Sequence, residues 1–156
     1  HHLPGERLPE AYAVVNPNAR ADEPYPFHGL CGAGVAWKLA CAALAVSPAL
    51  RERVPLGWEK WLLDMVAVAT IADMVPLTDE NRVLATYGLM VLRKSPRKGL
   101  GKLCRVMRAD QRFLAEDDVS FLLAPRVNAA SRMGEAFDEF RLFTPAADGA
   151  TAELAR

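Results

Sequence analysis

Residues 1–18 read HHLPGERLPEAYAVVNPN, and they hold the one clear candidate strand on which any α/β reading of the fold rests. Pro4-Gly5 punctuates as a turn. Tyr12–Val15 is a short apolar run rich in strand formers, closed by Asn16-Pro17, and it predicts a buried strand over 12–15. The remaining chain reads as five or six helices, and one strand with that count fits either an all-α domain or the C-terminal half of an α/β domain whose early strands are missing. His1 and His2 stand one turn ahead of it, where a sheet would present loop residues. Adjacent terminal histidines are either the remnant of a purification tag or imidazole ligands, and spacing alone leaves both open.

Outward from that strand, ARADEPYPFHGL (19–30) is rich in Pro and charge and reads as an exposed loop. From Cys31 to Leu44, Val35, Leu39, Ala42 and Ala43 recur at helical spacing and predict a buried helix. Its small-residue start, Gly32-Ala33-Gly34, fits tight helix–sheet packing or the approach of an anion to the helix N-terminus. Ser47-Pro48 opens a connecting turn. Trp58–Ala72 predicts a second helix, apolar on most faces. Pro76 disfavours helix at Val75, so that helix ends near Asp73. Thr78 is a suitable N-cap for a third helix reaching about Leu92, with Asp79 and Glu80 in its first turn, where the dipole favours acids.

Arg93–Arg112 carries eight of the chain's 19 basic residues and a single acid, Asp110. Leu100, Leu103, Val106 and Met107 mark one apolar face of a helix there. The basic face is either solvated or tracks phosphates. A further helix over Asp117–Leu123 leads into PRVNAASRMG (125–134), read as a loop. Both ends look cut, the last segment being one turn of helix over Ala146–Arg156 without a C-terminal cap.

The 156 residues make one domain's worth of chain, and 51% of them are hydrophobic, enough for a real core. A net charge of zero excludes a global electrostatic case for nucleic-acid binding. Three cysteines without CxxC spacing exclude a disulfide framework or a cysteine zinc site and fit a reducing, cytoplasmic setting. No apolar run reaches membrane-spanning length, and the N-terminus lacks the apolar run of a secretory signal.

Two stretches carry the chemistry. Asp73 ends the apolar run VAVATIADMVPL, where a carboxylate is expected to be buried or nearly so, and a buried carboxylate needs a partner or a metal. In isolation it also reads as a helix-terminal Asp bonded to backbone. With two histidines, an imidazole–carboxylate set suits manganese, iron or zinc. The second stretch sets Arg126, Asn128 and Arg132 among small residues. Guanidinium forks there suit phosphate oxygens, against the plainer reading of a surface loop with ordinary salt bridges.

Four blocks in order, HHLPGE…AYAVVNPN, GLCGAGVAWKL, ATIADMVPLTDENR and PRVNAASRMG, together resemble the DHH phosphoesterase family, and most closely its single-stranded-DNA-specific exonucleases. The resemblance implies that His1 and His2 are the two histidines of the Asp-His-His triplet. It implies an α/β fold: the C-terminal half of a DHH-type parallel-sheet domain, mostly helical here, running into an interdomain helix and the start of a second lobe. Residues 1–124 would be the catalytic part with its closing helices, and 125–156 the linker and the start of that lobe. His1 and His2 should then lie beside Asp73 at the C-terminal edge of the sheet.

The implied reaction is 5′-to-3′ hydrolysis of single-stranded DNA in repair and recombination, at a two-metal site of Mn2+ or Mg2+ that is incomplete in this chain. By motif position His1 and Asp73 are metal ligands, His2 and Asp73 act at the scissile phosphate, and Arg126, Asn128 and Arg132 hold the DNA backbone. Ser131 departs from the glycine more usual in such chains. Implied partners are single-stranded DNA, single-strand-binding protein and a RecQ-type helicase. The alternatives are a phosphodiesterase for short oligonucleotides or cyclic dinucleotides, and a non-catalytic scaffold.

Overall fold

A computed structural model describes residues 1–19, 25–133, 140 and 142–144, with side chains of 130–133 left out. The chain divides into two compact units, His1–Gly88 and Leu89–Arg156.

In the first unit, α1 (Gly32–Val46) is followed by α2 (Pro48–Arg53), a 3-10 turn (Trp58–Leu62), α3 (Leu63–Ala72) and the start of α4 (Asp79–Leu92). α1 packs on α3. The core is Leu30, Val66 and Leu84, ringed by Tyr25, Phe27, Val35, Trp37 and Leu63. α3 is the buried helix: Val66, Ala67, Val68, Thr70 and Ile71 are all inside. Thr70 spends its hydroxyl on Val66 O at 2.7 Å, which lets a polar side chain sit in that core.

α3 ends where the Pro76 rule places it, with Asp73 at the C-cap. Thr78 occupies the capping position of α4, since its carbonyl accepts the Arg82 N–H at 3.2 Å.

Several expectations need correction. No strand forms over 12–15: residues 13–16 carry no regular element, Tyr12 is fully exposed and Val15 is 56% exposed. A strand exists by pairing its N–H and C=O groups with a neighbour, and none of the described residues supplies one. The sheet, and with it a sheet edge for the histidines, is therefore absent among the described residues.

α1 is not a buried helix. Only Gly34 is buried, and Leu39 is half-exposed on a face that, with Val14 and Val15, lines a cleft of about 350 Å³. The Ser47-Pro48 turn extends into α2, because the Ser47 hydroxyl caps Leu50 N and Pro48 sits at the first helical position. The helix expected over 58–72 starts as a 3-10 turn after Gly57, whose φ of 82° needs glycine.

The second unit holds α5 (Lys98–Met107), a 3-10 turn (Gln111–Phe113), a π-helical segment (Asp118–Leu123) and α6 (Ala124–Met133). Leu92, Leu100, Leu103, Leu114, Val119 and Leu123 form its buried interior. α5 is amphipathic as expected, but Cys104 and not Val106 completes its inner face.

The stretch 125–133, read as a loop, is helix. Pro125 lacks an N–H and its ring would strike the carbonyl four residues back in an α-helix. The preceding turn widens to the π form, with Ala124 N reaching back five residues to Val119 O, and the helix continues through the proline. The turn expected over Ala146–Arg156 lies outside the described residues.

Candidate functional site

The structure brings His1 and Asp73 together from opposite ends of the first unit's sequence. His1 Nε2 lies 3.7 Å from Asp73 Oδ2. The His1 and His2 rings lie 4.1 Å apart by centroid, tilted by 43°. Asp73 is not buried: its side chain is 45% exposed against 22% for His1. The carboxylate lies just beyond the apolar run because α3 stops at Ala72 and Met74 turns into the left-handed region, with φ 51°. Asp73 sits at a helix C-terminus, where the dipole disfavours an anion by some ~0.3–1 kcal/mol. A cationic neighbour or a metal offsets that cost, whereas α3 gains nothing from the charge.

Small residues make room for the pair. Gly32, the first residue of α1, faces the His1 ring, and a methyl there would stand 3.3 Å from His1 Cδ2. So the small start of α1 admits an imidazole. Asparagines of the NPN turn hold both histidines by their main chain: Asn16 Nδ2 donates to His2 O at 2.8 Å, and Asn18 Nδ2 donates to His1 O at 2.7 Å and to His28 O at 3.4 Å. His28 Nδ1 lies 3.0 Å from Pro17 O, so that nitrogen carries the proton. Sequence reasoning missed Asn16, Asn18 and His28. The available signal was two asparagines bracketing a proline directly after an apolar run, a pattern for side chains that bond local backbone.

At the start of α4, Glu80 accepts from the Tyr25 hydroxyl at 2.8 Å and pairs with Lys38, whose ammonium also lies over the Tyr25 ring. Partial burial pushes Glu80 up, but the Lys38 and Tyr25 hydrogen bonds outweigh it and leave its pKa below the ordinary 4.5. Burial likewise pulls Lys38 down, and the contacts with Glu80 and Tyr25 more than reverse that. Beside Glu80, the fully buried Asn81 donates to Gly29 O at 2.7 Å and Pro76 O at 3.0 Å.

In the second unit, Arg126 and Asn128 are exposed on α6. Arg126 Nη1 donates to Leu122 O at 2.8 Å, in the widened turn, which uses one of its five donors. The Arg132 side chain lies outside the described residues. The basic stretch 93–112 is partly structural: Arg93 Nε donates to Leu114 O, Arg97 Nη1 to Phe143 O, and Arg112 forks onto Asp110. Exposed Arg105 and Arg108 remain on its solvated side.

For a metal, the His1–Asp73 spacing fits, since two ligands each about 2.1 Å from one ion stand roughly 3–4 Å apart. The set is short, however: among the described residues no group of three or more His, Cys, Asp or Glu comes together. No described helix is long and apolar enough to cross a membrane.

No family model matches the chain. Among curated proteins it is 44% identical over 136 residues to the single-stranded-DNA-specific exonuclease RecJ of Bacillus subtilis, covering 87% of this chain and 16% of that protein. It is 40% identical over 146 residues to the RecJ of Escherichia coli, covering 86% and 24%. The backbone superposes on the crystal structure of Thermus thermophilus RecJ in complex with Mn2+ with a TM-score of 0.78 at 34% identity, over 99% of this chain and 22% of that one. A crystal structure of exonuclease RecJ bound to manganese gives 0.77 at 35%, over 99% and 37%. The chain thus spans 16% to 24% of the length of these curated relatives.

Proposed function

From a chain that is RecJ-like in both sequence and backbone, we propose that it is part of a metal-dependent exonuclease acting on single-stranded DNA. The observation that carries the proposal is the approach of His1 Nε2 to Asp73 Oδ2 at 3.7 Å, between residues 72 positions apart, at an exposed helix end that has no use for a carboxylate. In this reading His1 and Asp73 hold Mn2+ or Mg2+ with ligands from other parts of a longer protein. When bound, such an ion supplies charge neutralisation at a phosphodiester and lowers the pKa of water. His2, its ring tilted against that of His1, contacts the scissile phosphate or braces the His1 ring. Arg126, Asn128 and Arg132 bind the DNA backbone from α6, and residues 125–156 open a second lobe. The α/β class belongs to the same reading: the apolar run Tyr12–Val15 becomes a strand once neighbours complete its ladder.

The test is nucleotide release from single-stranded DNA by the full-length protein in Mn2+. Asp73→Ala should abolish turnover while leaving most of the DNA affinity, measured in Ca2+, because phosphate contacts made elsewhere dominate binding. Turnover retained in Asp73→Ala would show that Asp73 is only a helix-terminal residue.

A further inference from the structure

Resting on that reading of His1 and Asp73, we infer that Asn18 and Asn81 are positioning residues that set the distance between the two ligands. His1 and Asp73 share no backbone hydrogen bond, and His1 sits on a segment without regular structure. Four hydrogen bonds from two side-chain amides join them. Asn18 Nδ2 holds His1 O at 2.7 Å and His28 O at 3.4 Å. Asn81 Nδ2 holds the next carbonyl of that loop, Gly29 O, at 2.7 Å and, with its other proton, Pro76 O at 3.0 Å. Pro76 lies in the loop that leaves Asp73. The connection therefore runs from His1 through Asn18 to the 28–29 peptide, and through Asn81 to the loop carrying Asp73.

Both residue types are required by the geometry. Each amide faces two carbonyl oxygens, so the NH2 end must point inward, and an aspartate could donate to neither. Asn81 is 0% exposed, and its Oδ1 has no hydrogen-bond partner. A buried acceptor left unpaired is a net cost to stability, which fits a residue placed for the two carbonyls it holds. Gly32 completes the arrangement by leaving room for the ring of His1, whose main chain Asn18 holds.

The experiment titrates the full-length protein with Mn2+ alone and reads free Mn2+ by electron paramagnetic resonance, alongside thermal midpoints without metal. Asn18 is the cleaner probe, since it is only half-buried and its loss leaves no core cavity. Asn18→Ala and Asn18→Asp should each weaken Mn2+ binding by about 10- to 100-fold, the usual cost of removing a group that orients a ligand. The metal-free midpoint should stay near the wild-type value, and the Mn2+ dependence of nucleotide release should shift to higher concentration with its maximum largely regained. Asn81→Asp should act in the same direction. If it does not fold, the two Asn18 variants decide. Asp73→Ala is the control. If it loses Mn2+ while Asn18→Ala binds like the wild type, the positioning inference is overturned and the ligand assignment stands. Wild-type Mn2+ binding in Asp73→Ala overturns the ligand assignment itself.

Discussion

The residue that ties most of the candidate site to sequence is Gly32. With no side chain it admits the His1 ring, and a methyl would stand 3.3 Å from His1 Cδ2 and 3.7 Å from Nε2. Alanine is also the better helix former, so packing and function pull apart at this position. Gly32→Ala in the full-length protein should leave the thermal midpoint unchanged or slightly raised. It should lower turnover on single-stranded DNA by about tenfold or more, as expected when a ligand is displaced from its orientation. A drop in both together would mean that Gly32 serves only folding. At this scale the sequence was partly legible. Asp73 stood out because a carboxylate closed an apolar run, although its degree of burial was misjudged: the chain turns at Met74 and lifts the group into solvent. The asparagines were not legible as site residues, because all but one of these side-chain bonds go to carbonyls 10 to 52 positions away, and a turn-forming Asn looks the same whatever it holds.

Among the elements, helices were legible where periodicity and punctuation agreed. The ends of α3 and α4 fall where Pro76 and Thr78 place them. Misreadings fell where one rule was overridden locally, as at Pro125, whose helix continues by widening a turn. Two elements allow direct tests. α4 meets α3 at Gly88, where an added methyl would run into the Leu63 carbonyl oxygen and the Ala67 side chain. Since both are held in helix, neither can move aside, and Gly88→Ala should destabilise by roughly 1–3 kcal/mol despite its better helix propensity, as measured by denaturation. In the second unit, Asp110 caps the 3-10 turn through Arg112 N at 3.0 Å and grips the Arg112 guanidinium. The Arg112 side-chain and backbone hydrogen bonds hold its carboxyl at about 2, below the ordinary 3.8. A depressed folded-state value means stability that is present above 3.8 and lost as pH falls towards 2. The difference in thermal midpoint between wild type and Asp110→Asn should be constant at neutral pH, shrink below about pH 4 and be lost as pH falls through about 2. A difference that keeps its neutral-pH size at pH 2 would show that the turn does not depend on the charge.

For the molecule as a whole, what decides the prediction is how few metal-ligating side chains the described residues bring to the candidate site. Phosphodiester hydrolysis by divalent ions requires them to be held firmly enough to neutralise attacking and leaving oxygens, and in paired sites two ions act together. Catalytic metal sites take about three protein ligands per ion. The described residues bring two candidate ligand side chains, His1 and Asp73, to one place, and no third His, Cys, Asp or Glu among them joins the pair. The first unit also leaves apolar side chains in solvent. Tyr12, Val14 and Val15 are apolar yet exposed, beside a half-exposed Leu39, and the run that reads as a buried strand finds no pairing partner among the described residues. On the proposed reading of His1 and Asp73 as metal ligands, the missing sheet and the short ligand set have one physical cause: their partners would come from other parts of a longer protein. That yields a prediction for the 156-residue chain used by itself. With Mn2+ in excess it should release no nucleotides from single-stranded DNA, and its Mn2+ affinity should be far weaker than that of the full-length protein. The assay compares end-labelled single strands incubated with the chain, with the full-length protein and with the full-length Asp73→Ala variant. Release by the full-length protein alone is the expected result. Mn2+-dependent release by the 156-residue chain, abolished by chelator, would mean that His1, Asp73 and their immediate surroundings suffice for the chemistry.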